Sequence, residues 1–258
     1  LLEKIKANQP EEVADAPNPL ATVEEFAERY LADCHSRWKP HTTANNRINF
    51  AKRIIPMLGK LRLRDVTKAD IVRWMDAATG APGTQNISLA LVSGMMVHAE
   101  IIGIRPAGQN PCKGLRKREI GFKAHYLSPA EFKRLNKALT AQEADYPMEV
   151  AFIRFLALTG CRKGEARGLR WEWLLGQAAR LPDSKTGPRS VWIGAAAQRV
   201  LGELPKTWPL VFSRDGKEMP EHHLHMLWDI VRKKARLKGV RMHDLRHSFA
   251  SMAVGRGE

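Results

Sequence analysis

Along the first hundred residues, apolar side chains recur every three or four positions, the period of amphipathic helices rather than strands. Thr22-Val23-Glu24-Glu25 is a capping box and predicts a helix running to about Cys34. Pro40 and Thr42 introduce a second helix, in which Ile48, Ala51, Ile55 and Leu58 recur at helical spacing until Gly59 stops it. Thr67-Lys68-Ala69-Asp70 opens a third, with Ile71, Trp74, Met75 and Ala78 on one face. Thr84 opens a fourth, with Ile87, Leu91, Met95 and Ile102 turned inward and Gly103 as its terminator. Four such helices on short connections predict an all-α bundle over residues 21–110. The polar, proline-bearing residues 1–20 ahead of them read as a connector.

From Asn110 the pattern breaks. Pro111, Gly114 and Gly121 punctuate Lys113, Arg116, Lys117, Arg118 and Lys123, so residues 111–124 read as a basic linker. Residues 125–258 form a second domain. Ser128-Pro129-Ala130-Glu131 is a capping box with proline at the first helical position, and an apolar helix from Pro147 to Leu158 leads to Gly160. The segment from Ala179 to Ile193 reads as a hairpin turning at Lys185-Thr186-Gly187-Pro188. Helices follow near Ala195 to Leu204 and Pro220 to Leu237, with Leu210-Val211-Phe212 a short strand between them. The fold class is therefore mainly α: an N-terminal helical bundle, then a mostly helical domain with a small antiparallel β-sheet.

Charge adds a partner class to that picture. The chain has 42 Lys and Arg against 27 Asp and Glu, a net charge of +15. With 44% hydrophobic residues it is no disordered basic tail, so a folded, strongly positive surface should attract polyanions. No apolar run approaches the roughly 18 residues of a membrane span, and no signal peptide opens the chain. Cys34, Cys112 and Cys161 are far apart, which argues against a disulfide framework or a cysteine zinc site. A cytoplasmic, nucleoid-associated protein is expected, with no membrane partner. Leu1 in place of methionine points to a cut N-terminus. A basic RNA-binding module would explain the charge but not the motifs that follow.

Two stretches carry chemistry: Thr159-Gly160-Cys161-Arg162-Lys163-Gly164-Glu165 and His243-Asp244-Leu245-Arg246-His247-Ser248, with Ser184-Lys185-Thr186-Gly187-Pro188-Arg189 between them. Breaking a phosphodiester by transesterification builds negative charge on the non-bridging oxygens, and fixed cationic donors stabilise it. Arginine suits the task because its planar fork binds two phosphate oxygens and stays charged. The spacing of His243 and Arg246 puts both on one helical face. A lysine at a hairpin tip can supply the proton that a leaving 5′ oxygen needs. His243 and His247 lack the glutamate of an HExxH zinc site, and His222-His223-Leu224-His225 reads as a polar helix face. No glycine-rich lead precedes Lys185-Thr186, so nucleotide hydrolysis finds no support. No metal and no cofactor are expected.

In order and spacing these motifs resemble the tyrosine recombinases, the phage-type integrases that cut and rejoin DNA through a 3′-phosphotyrosine. The resemblance implies a SAM-like core-binding bundle and a catalytic domain closing around duplex DNA, and site-specific recombination or integration as the activity. It implies that Arg162 and Arg246 clamp the scissile phosphate, that His243 donates a hydrogen bond or relays a proton, and that Lys185 protonates the leaving group. Glu165 matches the family's acidic buttress, and His247 contacts the site from the following turn. Lys39, Thr42, Asn45 and Arg47 in the first domain, Arg116, Lys117 and Arg118 in the linker, and Lys233 and Arg241 in the second domain are candidate DNA contacts. Implied partners are duplex DNA, a homo-tetramer on DNA for the full-length protein, and accessory DNA-bending or directionality proteins.

The family's nucleophilic tyrosine follows the second arginine. Tyr30, Tyr126 and Tyr146 all precede Arg246, and Tyr126 sits beside the linker, ahead of the second domain's first helix. The reading is thus a chain that stops short of its nucleophile, inactive for cleavage as it stands. The rival is a DNA-binding protein of the same fold that has lost catalysis.

Overall fold

The structure, a computed structural model, describes residues 18–121, 125–182 and 187–255. It divides into two compact units, Leu1–Gly121 and Phe122–Glu258.

The first unit is helical. Helix α1 (Val23–Asp33) starts as its capping box dictates: the Glu25 carboxylate accepts from the Thr22 amide at 2.8 Å, and the Thr22 hydroxyl accepts from the Glu25 amide at 3.3 Å. Helix α2 (Pro40–Asn49) passes through a π-helical turn at Phe50–Ile54 into α3 (Ile55–Leu58). That turn overrules the expected inward face. Each residue of a wider turn rotates the following side chains less, so burial falls on Phe50, Ile54 and Leu58. Ile48 is 48% exposed, Ala51 is exposed and Ile55 is only partly buried. Pro56, with no amide proton to donate, sits just past this turn. Helix α4 (Lys68–Ala77) begins at the Thr67/Asp70 capping box and buries Ile71 and Trp74.

Helix α5 (Pro82–Ile101) starts at Pro82, not at the expected Thr84, because proline at the first turn has no amide to leave unsatisfied. Leu91 and Met95 point inward as expected, joined by Val92, Met96 and Ala99, whereas Ile87 is 55% exposed. The buried Arg105 closes this core by donating to the carbonyls of Arg64 (2.9 Å), Val66 (3.1 Å) and Gln109 (3.1 Å). Residues 110–118 lie against the first unit rather than hanging free. Cys112 is buried in its core, and the Asn86 amide pairs with the backbone of Arg118 in both directions at 2.8 Å.

In the second unit, α6 (Pro129–Thr140) and the buried α7 (Pro147–Thr159) precede a short α8 (Lys163–Arg167). Strands β1 (Leu174–Leu175), β2 (Ala178–Leu181) and β3 (Arg189–Trp192) form an antiparallel sheet in the order β1-β2-β3, with Leu181 opposite Arg189. Helices α9 (Ala195–Gly202), α10 (Glu221–Lys234) and α11 (Asp244–Gly255) follow. The core is built on α7, where Phe152 meets Phe212 edge-on at 5.1 Å. Leu210-Val211-Phe212 is not a strand. Leu210 forms a single bridge with Arg170, while Val211 and Phe212 are wholly buried, so that apolar run serves core packing. The two-residue strand β1 lies outside the expected Ala179–Ile193 hairpin and adds a third strand to it. No helix among the described residues is long and apolar enough to cross a membrane.

Candidate active site

The site starts at the end of α7. Gly160 takes the left-handed conformation (φ 60°, ψ 20°) that lets a chain leave a helix sharply, and its amide donates to the Leu156 carbonyl at 3.0 Å. The chain then turns into α8, whose first flanking residue is Arg162. Glu165, one turn on, accepts from the Arg162 amide at 3.0 Å and from the Arg162 guanidinium at 2.7 Å. Helix α8 is itself anchored, because Arg167 donates to the Met219 carbonyl at 2.9 Å and pairs with Glu218 at 3.1 Å.

From the sheet, Arg189 of β3 reaches the same carboxylate with both faces of its fork, Nε to Oε1 at 3.0 Å and Nη2 to Oε2. Arg246, in the first turn of α11, donates through Nη1 to the Gly160 carbonyl. The seat of α11 is fixed by the buried Asp244, which accepts from the Arg241 amide (2.8 Å), Nε (3.2 Å) and Nη2 (2.8 Å). The Ser248 hydroxyl donates to the Asp244 carbonyl and accepts from the Leu127 amide at 2.9 Å. The Phe249 ring closes over Gly160. His243 stands immediately before α11 rather than within it, and its ring meets that of His247 edge-on at 5.0 Å.

Three guanidiniums (Arg162, Arg189, Arg246) thus act on one carboxylate, Glu165, which leaves two positive charges uncompensated. Burial of the Glu165 side chain, only 7% exposed, would by itself raise its pKa. Hydrogen bonds from Arg189 and Arg162 outweigh burial and hold the carboxyl down at about 2. Burial and then the neighbouring charges of Arg189 and Arg162 lower the Arg246 pKa. Burial, His247 and Arg246 likewise lower that of His243, which favours a neutral imidazole. Burial, with Glu165 alongside, pushes the Cys161 thiol up to about 12, so it is an inert neighbour at neutral pH. Fixed donors with surplus positive charge suit one ligand class, an anion with several oxygens.

A stability consequence follows. Glu165 titrates at about 2 when folded and near its ordinary 4.5 when unfolded. Its ionised form therefore stabilises the fold above about pH 4.5, and that contribution is lost as pH falls through 2. Glu165→Gln should lower stability near neutrality by on the order of 3 kcal/mol, and the gap to the parent should narrow below pH 4. Thermal melts of both proteins from pH 2 to 7 check this; a gap independent of pH would refute it.

The structure brings Arg162, Glu165 and Arg246 together, with His243 and His247 at the start of α11. Lys185 lies outside the described residues. Lys233 and Arg241 are exposed in the second unit, and Arg241 is also committed to Asp244. In the first unit Lys39 precedes α2, Asn45 pairs with His41 at 3.1 Å, and Arg47 pairs with Glu28 at 3.1 Å; Thr42 is partly buried. Arg116 and Lys117 are exposed, whereas the Arg118 guanidinium donates to the Met75 carbonyl at 2.6 Å. Among the described residues no three His, Cys, Asp or Glu side chains group as a metal site.

Sequence reasoning missed two neighbours. Arg189 closes the Ser184–Arg189 motif, and the sequence alone assigns it no role. Its signal is its place: Arg189 directly follows the Lys185 motif and opens β3, at the base of the expected hairpin. Tyr126, expected beside the linker and given no role, has its ring 6.5 Å from that of His247.

Comparison with known proteins bears on the family and the fold. Residues 22–77 match the model of the phage integrase N-terminal SAM-like domain. The chain is 26% identical over 266 residues to a putative prophage phiRv2 integrase of Mycobacterium tuberculosis, covering 93% of this chain and 69% of that one. It is 27% identical over 180 residues to the prophage integrase IntZ of Escherichia coli, covering 67% of this chain and 43% of that one. Its fold is similar to that of lambda integrase (75–356), crystallised as a dimer bound to a COC′ core site. There the TM-score is 0.76 at 17% identity, over 91% of this chain and 90% of that one. The Tn1549 transposon integrase in complex with circular intermediate DNA gives 0.71 at 16% identity, over 92% and 88%. A lambda integrase tetramer bound to a Holliday junction gives 0.75 at 16%, over 98% and 79%.

Proposed function

The chain belongs to the tyrosine recombinase family, the phage-type integrases, and from that membership we propose that its second unit holds the scissile phosphate of duplex DNA between Arg162, Arg246 and His243. The function is site-specific DNA recombination. The observation that carries the residue-level reading is the surplus of anchored positive charge: three guanidiniums, tied to α8, β3 and α11, around a single carboxylate.

The chemistry follows from that arrangement. As a nucleophile attacks phosphorus, charge grows on the non-bridging oxygens, and donors that are already fixed need no reorganisation to meet it. Arg246 is braced by the Gly160 carbonyl through one nitrogen, which leaves its other donors for phosphate. Arg162 is braced by Glu165 in the same way. His243, whose pKa is lowered, donates from a neutral ring and gains a proton more readily once a phosphate lies beside it. Lys185 is assigned to the leaving 5′ oxygen. In the first unit, Lys39, Thr42, Asn45 and Arg47 on and before α2 are assigned to the DNA backbone, where the helix N-terminus also favours phosphate. Assembly as a tetramer on DNA belongs to the same proposal, supported by the lambda integrase tetramer.

The test uses protein expressed from the complete gene and nicked duplexes that trap a covalent intermediate. A denaturation-resistant protein–DNA adduct is expected with chelator present and no nucleotide added. An activity that disappears with chelation and returns with magnesium, or the absence of any adduct, would overturn the assignment.

A further inference from the structure

We propose that Arg189 is a positioning residue for strand cleavage: by occupying the Glu165 carboxylate with a two-point fork, it keeps that carboxylate from capturing the Arg162 guanidinium whole. The inference rests on the recombinase reading for its substrate and on the geometry of Glu165 for its substance.

A carboxylate and a guanidinium left to themselves pair side by side through two parallel hydrogen bonds. Glu165 lies one helical turn from Arg162 and touches both its amide and its guanidinium. Without a competitor, the two side chains would settle into the two-point pair, and two of the five donors of Arg162 would face protein. In the structure the two-point pair belongs to Arg189 instead: Nε meets Oε1 at 3.0 Å, and Nη2 meets Oε2. Arg162 is left with a single contact, Nη1 to Oε1 at 2.7 Å.

The remaining lone pairs on Oε2 face the Arg162 amide at 3.0 Å and the Cys161 thiol at 3.5 Å. The carboxylate is therefore full, and Arg162 is oriented by one bond while its outward donors stay open. Side-chain exposure agrees: Arg162 is 30% exposed and Arg189 26%, whereas Glu165 beneath them is 7%. Arg189 can hold this position because β3 pairs it with Leu181, so its backbone is set by the sheet.

A direct DNA contact by Arg189 would also explain a cleavage defect, so the test is a double-mutant cycle. Arg189→Gln, Arg189→Lys, Glu165→Gln and the Arg189→Gln/Glu165→Gln pair are made in the complete protein. Single-turnover cleavage at saturating protein, duplex affinity and melting are measured on each. Arg189→Gln should slow cleavage about 10–100-fold, the usual cost of losing a supporting shell contact, with affinity within about twofold. Arg189→Lys, which restores the charge without the fork, should recover only part of the rate. In the Glu165→Gln background, Arg189→Gln should cost about twofold or less, because there is no charged carboxylate left to restrain.

An equal loss in both backgrounds, or a parallel loss of affinity, would make Arg189 a DNA ligand and overturn the proposal. An unchanged rate would overturn it as well. If Arg189→Gln does not fold, Arg189→Lys carries the cycle. Should the parent protein form no covalent adduct at all, the recombinase reading fails by itself. The fork is then judged on the chain alone, by NMR titration of the Glu165 carboxyl. Its midpoint should rise in Arg189→Gln, and a midpoint that stays where it was sinks the positioning role.

Discussion

Replacing Arg246 with alanine is expected to slow strand cleavage by about a hundredfold or more, the usual cost of one fixed transition-state donor, while duplex affinity changes little. The two effects separate because many backbone contacts share the affinity, whereas developing charge on one phosphate is met by very few groups. Arg246 is well placed to be one of them. Its seat is rigid: Asp244 and Ser248 fix the first turns of α11, and the Gly160 carbonyl takes one of its donors. Lysine should not rescue the variant, because an ammonium cannot brace against a carbonyl and span two phosphate oxygens in one plane. Single-turnover cleavage and gel-shift affinity, measured on the same preparation, decide the matter. A loss of affinity as large as the loss of rate would reduce Arg246 to a backbone contact.

Gly160→Ala is expected to be the most damaging single-methyl change in the second unit. Two independent costs add. A residue with a side chain at φ 60° pays about 1–2 kcal/mol for the left-handed conformation. The new Cβ would also sit 2.6 Å from the Phe249 ring, which overpacks a closed contact at about a further 1–3 kcal/mol. Relief requires Phe249 and α11 to move, and Arg246 moves with them. The variant should therefore lose several degrees or more in melting temperature and lose cleavage at temperatures where it is still folded. Phe249→Ala should relieve part of the overpacking when combined with it. If Gly160→Ala melts with the parent, the turn at Gly160 does not constrain α11.

What could be read in advance was what depends on near neighbours. The capping boxes at Thr22 and Ser128 join residues three apart and both form as expected, and the helix start at Thr67 proves to be a third such box. The Arg162/Glu165 pair is equally local, as is the His243–Arg246 spacing, although His243 proved to stand just ahead of the helix. What escaped depended on phase or on distance along the chain. The π turn at Phe50–Ile54 shifts the inward face of the second helix onto Phe50, Ile54 and Leu58, and no residue type announces a wider turn. The burial of Val211 and Phe212 in a loop is a tertiary fact that imitates a strand in sequence. Arg189 meets Glu165 across 24 residues and a change of secondary structure, a contact that no local spacing in the sequence signals.

The contact between the Leu127 amide and the Ser248 hydroxyl bears on the order in which the molecule comes into being. It joins residues 121 apart, and the hold of Arg246 on Gly160 joins residues 86 apart. Loops of that span are closed late, because their entropy is lost before any reward arrives. On a ribosome that releases the chain from its N-terminus, the first unit can condense while the second is still being made. Arg162 and Glu165 then exist for many seconds without Arg246. The Arg162, Glu165 and Arg246 cluster is thus completed only when α11 emerges, well after the first unit has had time to fold.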